Sequence, residues 1–325
     1  MLILNERDVE DLLPMHECID VVHRAFSTLD RAGYVQPVRL ITWNPGKSGA
    51  IAAMPAWMAQ PRAMGAKLIS VFPQNRQRGL DSHQGFVALY DPEDGRPVAL
   101  LHAGAITAIR TAAVSGVATR LLANGAACSL AIIGSGVQAR THLQAMLAVR
   151  DVTSVRVWSR TAEHARAFAE QQQRACGVTV EAAASPREAI QDADLICTVS
   201  TSREPLVHGA WLSEGVHINA AGASVPGFRE LDADAIARSR VYVDSRESAM
   251  AEADELRLPI AEGRIGAYHI VGTLPELAAG TCAGRVSEND VTIFKSCGMA
   301  VEDLTAAQYV YEKALAAKRG TAVDF

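Results

Sequence analysis

From residue 129 onward, short apolar runs alternate with amphipathic segments, and before that point the pattern is of another kind. Runs at 129–133, 154–158, 178–181, 194–199, 216–220 and 240–243 have the length of buried strands, and 161–174 and 186–191 between them have helical spacing. This alternation predicts an α/β fold, a doubly wound parallel (Rossmann) sheet with helices on both faces. A last apolar run at 291–294 leads to Lys295-Ser-Cys-Gly298, and a helix from about 300 to 319 closes the chain. Ahead of residue 129, Val9, Leu12 and Leu13, then Ile19, Val22 and Phe26, fall at helical spacing over 7–32, with a break at Pro14. Between 36 and 101 the runs shorten to 38–43, 50–54, 63–71, 85–90 and 97–101. They are punctuated by Asn44-Pro-Gly, by Pro55 and by Asp91-Pro-Glu-Asp-Gly95. That pattern predicts a mostly antiparallel sheet in an α+β domain over 1–115, with 300–325 expected to return to it. An alanine-rich helix over 104–124 leads into the Rossmann domain at 116–299.

Composition adds mainly exclusions. A length of 325 residues suits two domains, and 49% hydrophobic residues suffice for two cores. A formal charge of −5 with no basic run gives no reason to expect nucleic acid. The opening stretch is charged early and lacks a signal-peptide core, and the longest apolar run, 98–109, is too short for a bilayer and holds His102. No membrane partner is expected. The six cysteines are scattered without a C-x-x-C pair and read as core hydrophobes of a soluble cytoplasmic protein. No histidines pair at i, i+4, so no metal site is expected, and His83 reads as a turn residue.

The chemistry begins where the 129–133 run ends. Gly134, Gly136 and Ala139 form a G-x-G-x-x-A pattern between a strand and a helix at 137–149. There the first glycine permits the tight turn, the second lets backbone approach a pyrophosphate, and the alanine lets helix and strand pack closely. A helix N-terminus with unpaired N–H groups suits a diphosphate. The second strand of such a unit commonly ends in an acidic residue that holds the ribose hydroxyls; here it ends in Ser159-Arg160-Thr161. Hydroxyls and a guanidinium suit a 2′-phosphate, which favours NADP(H) and leaves NAD(H) possible. Ser200-Thr201 and Ala220-Ala-Gly222 follow later strands at carboxyl ends, as cofactor contacts or as ordinary turns. In the first domain Arg39, Lys67 and Arg110 stand in apolar surroundings. Converging, they would bind a carboxylate; singly, each would be an outward-facing or snorkelling side chain.

Taken together, these stretches resemble the ornithine cyclodeaminase/mu-crystallin family along nearly the whole chain. The matching segments are Met54-Pro-Ala, Gly65-Ala-Lys67, Phe72-Pro-Gln-Asn75, Ser82-His-Gln-Gly85, Ile106-Thr-Ala-Ile-Arg-Thr-Ala-Ala113, Gly134-Ser-Gly-Val-Gln-Ala139, Pro226-Gly-Phe-Arg-Glu-Leu231 and Phe294-Lys-Ser-Cys-Gly298. The resemblance implies a homodimer joined through sheet-rich first domains, with active sites between the domains. It implies that Arg39, Lys67 and Arg110 bind the substrate carboxylate region. It also implies that Ser82, Thr111, Val137, Gln138, Ser159, Arg160, Thr201 and Ser296 lie near the cofactor. True cyclodeaminases carry an acidic residue shortly before the Met-Pro pair and an aspartate two residues before the Pro-Gly pair; this chain has Ala52 and Ser224 there. Ser224 resembles the mu-crystallin type, which reduces cyclic ketimines. The expectation is an NAD(P)-dependent oxidoreductase that reduces a small cyclic or open-chain imino acid, with Lys67, Arg110 and Ser224 at the reaction centre. The rivals are an ornithine cyclodeaminase and a non-catalytic binder of NADP(H) or a small ligand.

Overall fold

A computed structural model describes residues 1–324, with Arg76 and Gln77 described by their backbone alone. The chain forms two compact units, Met1–Arg110 with Met299–Phe325, and Thr111–Gly298. The division falls inside the helix Ala103–Leu122.

In the first unit the strands run Thr321–Ala322, Leu2–Leu4, Pro97–His102, His83–Tyr90, Ala63–Val71 and Ala50–Met58. Tyr34–Val35 and Leu40–Trp43 share the outer edge of Ala50–Met58. Pairing is antiparallel except where Leu2–Leu4 runs parallel to Pro97–His102. The even positions of Ala50–Met58 and the odd positions from Ala63 to Ile69 are buried beneath the helix Ala300–Ala317, against which the helix Met15–Ala32 packs in turn. Lys67 therefore points to the covered face. Gly65 is required beneath the closing helix, because a Cβ there would lie 2.1 Å from the Ala88 carbonyl oxygen and 2.9 Å from Leu304.

Two expectations change here, and one strand is added. The strand predicted to stop before Pro55 runs through it to Met58. On its outer edge Leu40–Trp43 pairs with 50–53 and Tyr34–Val35 with 57–58, so Pro55 falls in the gap between two ladders, where a missing N–H costs little. His83 opens the strand His83–Tyr90, opposite Val71, and is not a turn residue. The charged opening of the chain concealed the strand Leu2–Leu4, which the chain end covers at Thr321–Ala322.

The second unit carries an all-parallel sheet. Its order is Thr179–Ala182, Ser154–Trp158, Ser129–Ile133, Leu195–Thr198, His217–Ala220, Thr292–Lys295, Arg240–Val243, Ile270–Thr273. From Ser129–Ile133 the chain winds outward through two neighbours, then returns to place Leu195–Thr198 on the other side. That reversal is the switch point at which such sheets bind ligands beyond the strand carboxyl ends. The core beneath it is aliphatic, built from Ile133, Ile196, Ile218, Val241 and Ile293 among others. The Rossmann architecture is the one the sequence predicts; Ile270–Thr273 and the helices Arg246–Glu252 and Asp254–Ala261 lay outside the sequence pattern.

Among the described residues one helix, Ala103–Leu122, is long and apolar enough to cross a membrane, longer than the 98–109 run suggested; 72% of its apolar window is buried inside the protein. Its carbonyl end is closed by guanidiniums. Arg150 donates to the carbonyls of Thr119, Ala123 and Asn124, and Arg285 donates to that of Leu122 at 2.7 Å. Of the cysteines, Cys18, Cys197 and Cys297 are core residues as expected, whereas Cys128 is exposed and Cys176 and Cys282 are half-buried.

Candidate functional site

In the first unit the geometry starts from the alternation of Ala63–Val71, which turns Lys67 onto the covered face, 3% exposed. Its ammonium lies 2.6 Å from Asp303 Oδ2 and 3.4 Å from Thr107 Oγ1. Arg110, 4% exposed on the Ala103–Leu122 helix, donates through Nε to Asp303 Oδ1 at 2.8 Å and through a terminal nitrogen to Glu302. Snorkelling is excluded for both: two buried cations converge on one carboxylate. Arg39, half-buried before the strand Leu40–Trp43, adds its positive field to Lys67.

Burial pushes Lys67 down to about 8; Asp303 opposes that shift, and Arg110 and Arg39 reinforce it. Burial alone would raise the Asp303 carboxyl, but Arg110 and Lys67 outweigh it and hold Asp303 below the usual carboxylate range. The result is an ammonium able to give up a proton near neutral pH, fixed beside a permanent guanidinium.

In the second unit Gly134 stands at φ +131°, and a Cβ there would lie 2.8 Å from the Val199 carbonyl oxygen, so the strand-to-helix turn is open to glycine alone. Gly136 is the N-cap of the helix Val137–Val149 and brings no side chain over its first N–H groups. Ala139 is fully buried, Val137 is 51% exposed, and Gln138 follows it in the first turn. The Gln138 carbonyl accepts from His142 Nδ1 at 2.8 Å. Burial pushes that histidine down to about 4, which leaves it neutral near pH 7. At the end of the neighbouring strand Ser159 accepts from Ser135 Oγ at 2.9 Å, Arg160 is exposed, and Thr161 is the N-cap of the helix Ala162–Cys176. This donor set fits a dinucleotide: glycine where a Cβ would intrude, uncapped helix N–H groups for a diphosphate, and hydroxyls with a guanidinium one strand over.

The remaining expected residues are placed as follows. Thr111 is buried next to Arg110 on the same helix. Ser82 precedes His83–Tyr90 and bonds His83 Nδ1 at 3.0 Å. Thr201 is exposed beyond Leu195–Thr198, and Ser224 is half-buried in the loop after His217–Ala220. Ser296 is buried, its hydroxyl donating to Asp244 at 3.2 Å. Ala52 faces the covered side of the first sheet.

Sequence reasoning missed Glu302 and Asp303. Carboxylates in a first helical turn are ordinary there because they meet the positive dipole end, which hides any second use. The available signal was their setting: two acids within an otherwise apolar and small segment, 299–307, with no lysine or arginine inside it. Asp244, Glu230 and Glu255 were missed likewise, and all three are buried.

Compared with known proteins, residues 1–318 match the ornithine cyclodeaminase/mu-crystallin family. Delta(1)-pyrroline-2-carboxylate reductase of Bacillus cereus is 37% identical over 326 residues, covering 100% of both chains. Ketimine reductase mu-crystallin of Mus musculus is 38% identical over 287 residues, 88% of each chain. The solved structure of Thermococcus litoralis Delta(1)-pyrroline-2-carboxylate reductase, in complex with NADH and L-proline, superposes with a TM-score of 0.97 at 39% identity, covering 99% of this chain and all of that one.

Proposed function

The chain belongs to the ornithine cyclodeaminase/mu-crystallin family and is an NAD(P)-dependent oxidoreductase acting on C–N bonds; from that premise we propose that it reduces a cyclic α-imino acid bearing one carboxylate. Delta(1)-pyrroline-2-carboxylate is the leading substrate, as for the Bacillus and Thermococcus relatives. The observation that carries this reading is the buried pairing of Lys67 and Arg110 on Asp303. Buried cations suit a carboxylate, and the single carboxylate follows the substrate named for the Bacillus and Thermococcus relatives.

In the proposed reaction Arg110 and Arg39 take the carboxylate, and Lys67 holds a proton on the imine nitrogen. When bound, the nicotinamide supplies a hydride to the α-carbon. Carbon gains the hydride, nitrogen gains the proton, and the C=N bond becomes a C–N single bond. Asp303 keeps both cations aimed in the absence of substrate, so their orientation is set in advance. Ser224 contributes a hydroxyl in the loop after His217–Ala220. Loss of reduced-nicotinamide absorbance with a panel of cyclic and open-chain imino acids tests the reading. Dinucleotide binding without turnover across the panel would sink it and favour a binding protein.

Ser159, Arg160 and Thr161 favour NADP(H) over NAD(H), because a 2′-phosphate would meet hydroxyls and a guanidinium with no carboxylate at the strand end. Arg160→Asp is expected to reverse or erase the preference. Loss of one charge-assisted contact weakens NADPH by about 1.5–3 kcal/mol. Fluorescence titration measures it, and equal wild-type affinities for NADPH and NADH would refute the assignment.

The outer face of the first sheet supports a homodimer. Ile51, Trp57, Phe86 and Tyr90 are each more than a third exposed, and Val35, Pro37, Pro55 and Met64 join Trp57 around an apolar hollow. An apolar sheet face of this kind marks an interface, and a second copy of this chain is the proposed partner. Trp57→Asp is expected to shift the particle from two chains to one in sedimentation velocity; a wild-type monomer at micromolar concentration would contradict the proposal.

A further inference from the structure

A second cluster of buried charge takes no part in the reaction outlined above. Lys295 ends the strand Thr292–Lys295 with its side chain wholly buried. Its ammonium lies 3.2 Å from Glu255 Oε2 and donates to the Ala223 carbonyl. Glu255, on the helix Asp254–Ala261, accepts the Glu230 N–H at 3.0 Å through Oε1. Glu230 in turn accepts two backbone N–H groups, Ser200 at 2.6 Å and Gly222 at 3.0 Å, one on each carboxylate oxygen. All three charged side chains are fully buried.

A buried ion pair is a poor way to gain stability, since well-packed apolar residues of similar volume commonly hold a fold as well. What this cluster does that apolar residues could not is hold polar backbone. Each contact ends on a loop at the carboxyl edge of the parallel sheet: Ser200 after Leu195–Thr198, and Gly222 and Ala223 after His217–Ala220. Those loops carry Thr201 and Ser224, immediately beyond the anchored residues. We infer that Lys295 is a positioning residue. It fixes the Ala223 carbonyl, and with it the peptide that carries Ser224, while Glu230 fixes the Ser200 amide beside Thr201. Glu255 orients both by binding the Lys295 ammonium and the Glu230 N–H. What those loops serve rests on the function proposed above; that they are held by this cluster does not.

The test uses the full-length protein, Lys295→Met and the double variant Lys295→Met/Glu255→Gln. The single variant leaves Glu255 buried without its cation and is expected to melt well below wild type. The double variant removes both charges and is expected to regain most of that loss while still lacking the Ala223 anchor. If Lys295 positions the loop, the double variant keeps its affinity for NADPH, measured by fluorescence titration, but has kcat lowered about tenfold or more. Amides of 221–230 then exchange with solvent faster than in wild type. A double variant with wild-type kcat and wild-type exchange over 221–230 would show that the cluster only stabilises the fold. Wild-type protein alone supplies a further check: the Ser200 and Gly222 amides must be protected, and free exchange at either overturns the inference whatever the variants do. Absence of imine turnover in wild type would count against the proposed function, and the exchange measurements would still decide the role of Lys295.

Discussion

Lys67→Met is expected to lower kcat/KM for the imino acid by about a thousandfold, within the range that a positioned acid and a lost charge-assisted contact supply together. The loss should divide between the two steady-state constants. Lys67→Arg keeps a cation near Asp303 but holds its proton far too tightly to donate it, so its deficit should fall mainly on kcat. Arg110→Met removes the guanidinium that binds both Asp303 and Glu302. Its deficit should fall mainly on KM, with a drop in melting temperature, because breaking a buried pair from one side costs about 3–5 kcal/mol. The wild-type pH profile carries the same signature. Burial pushes Lys67 down to about 8, and in the proposed reaction the protonated form is the one that works. Activity should therefore be level on the acid side of that value and fall about tenfold per pH unit above it. Lys67→Arg should flatten the alkaline limb. Near-normal kcat/KM in both Lys67 variants would remove this residue from the reaction.

Ornithine is expected to yield no proline or ammonia beyond about one part in a thousand of the imine reduction rate, a margin set by what one positioned acid–base group contributes. Cyclodeamination requires oxidation of the α-amine, attack by the distal amine, expulsion of ammonia and a second hydride step. Several protons move, and a carboxylate in the loop after His217–Ala220 would suit them. Ser224 stands there, and an alcohol without an adjacent base is a weak acid and a weaker base near pH 7. Ala52 lies on the covered side of the first sheet and transfers no proton. Asp303 and Glu302 do not replace them, because each is already engaged by Arg110, and Asp303 by Lys67 as well. Incubation with ornithine and catalytic NAD⁺ or NADP⁺, followed by measurement of ammonia and proline, decides the matter. Robust release of both in equal amounts would restore the cyclodeaminase reading.

The sequence by itself determined the parallel sheet and its glycine turn. Those features are local: a strand buried on both faces must be a continuous apolar run, and the turn after it needs glycine because Gly134 takes φ +131°. The family followed from several such segments in one order, and with it the reaction class. Strand ends and short late elements were less legible. Pro55 within Ala50–Met58 shows why: whether a proline stops a strand depends on which edge is paired, a property of neighbours distant in the chain. The two charge clusters were decided by tertiary structure alone. Arg110 is separated from Glu302 and Asp303 by 192 and 193 residues and Lys67 from Asp303 by more still, and no local pattern distinguishes a cation that snorkels from one that closes on a buried carboxylate. Lys295, Glu255 and Glu230 meet only because a parallel sheet brings the carboxyl ends of its strands to one edge. There the backbone groups left unpaired at the strand ends must find partners, and buried charge from other segments supplies them.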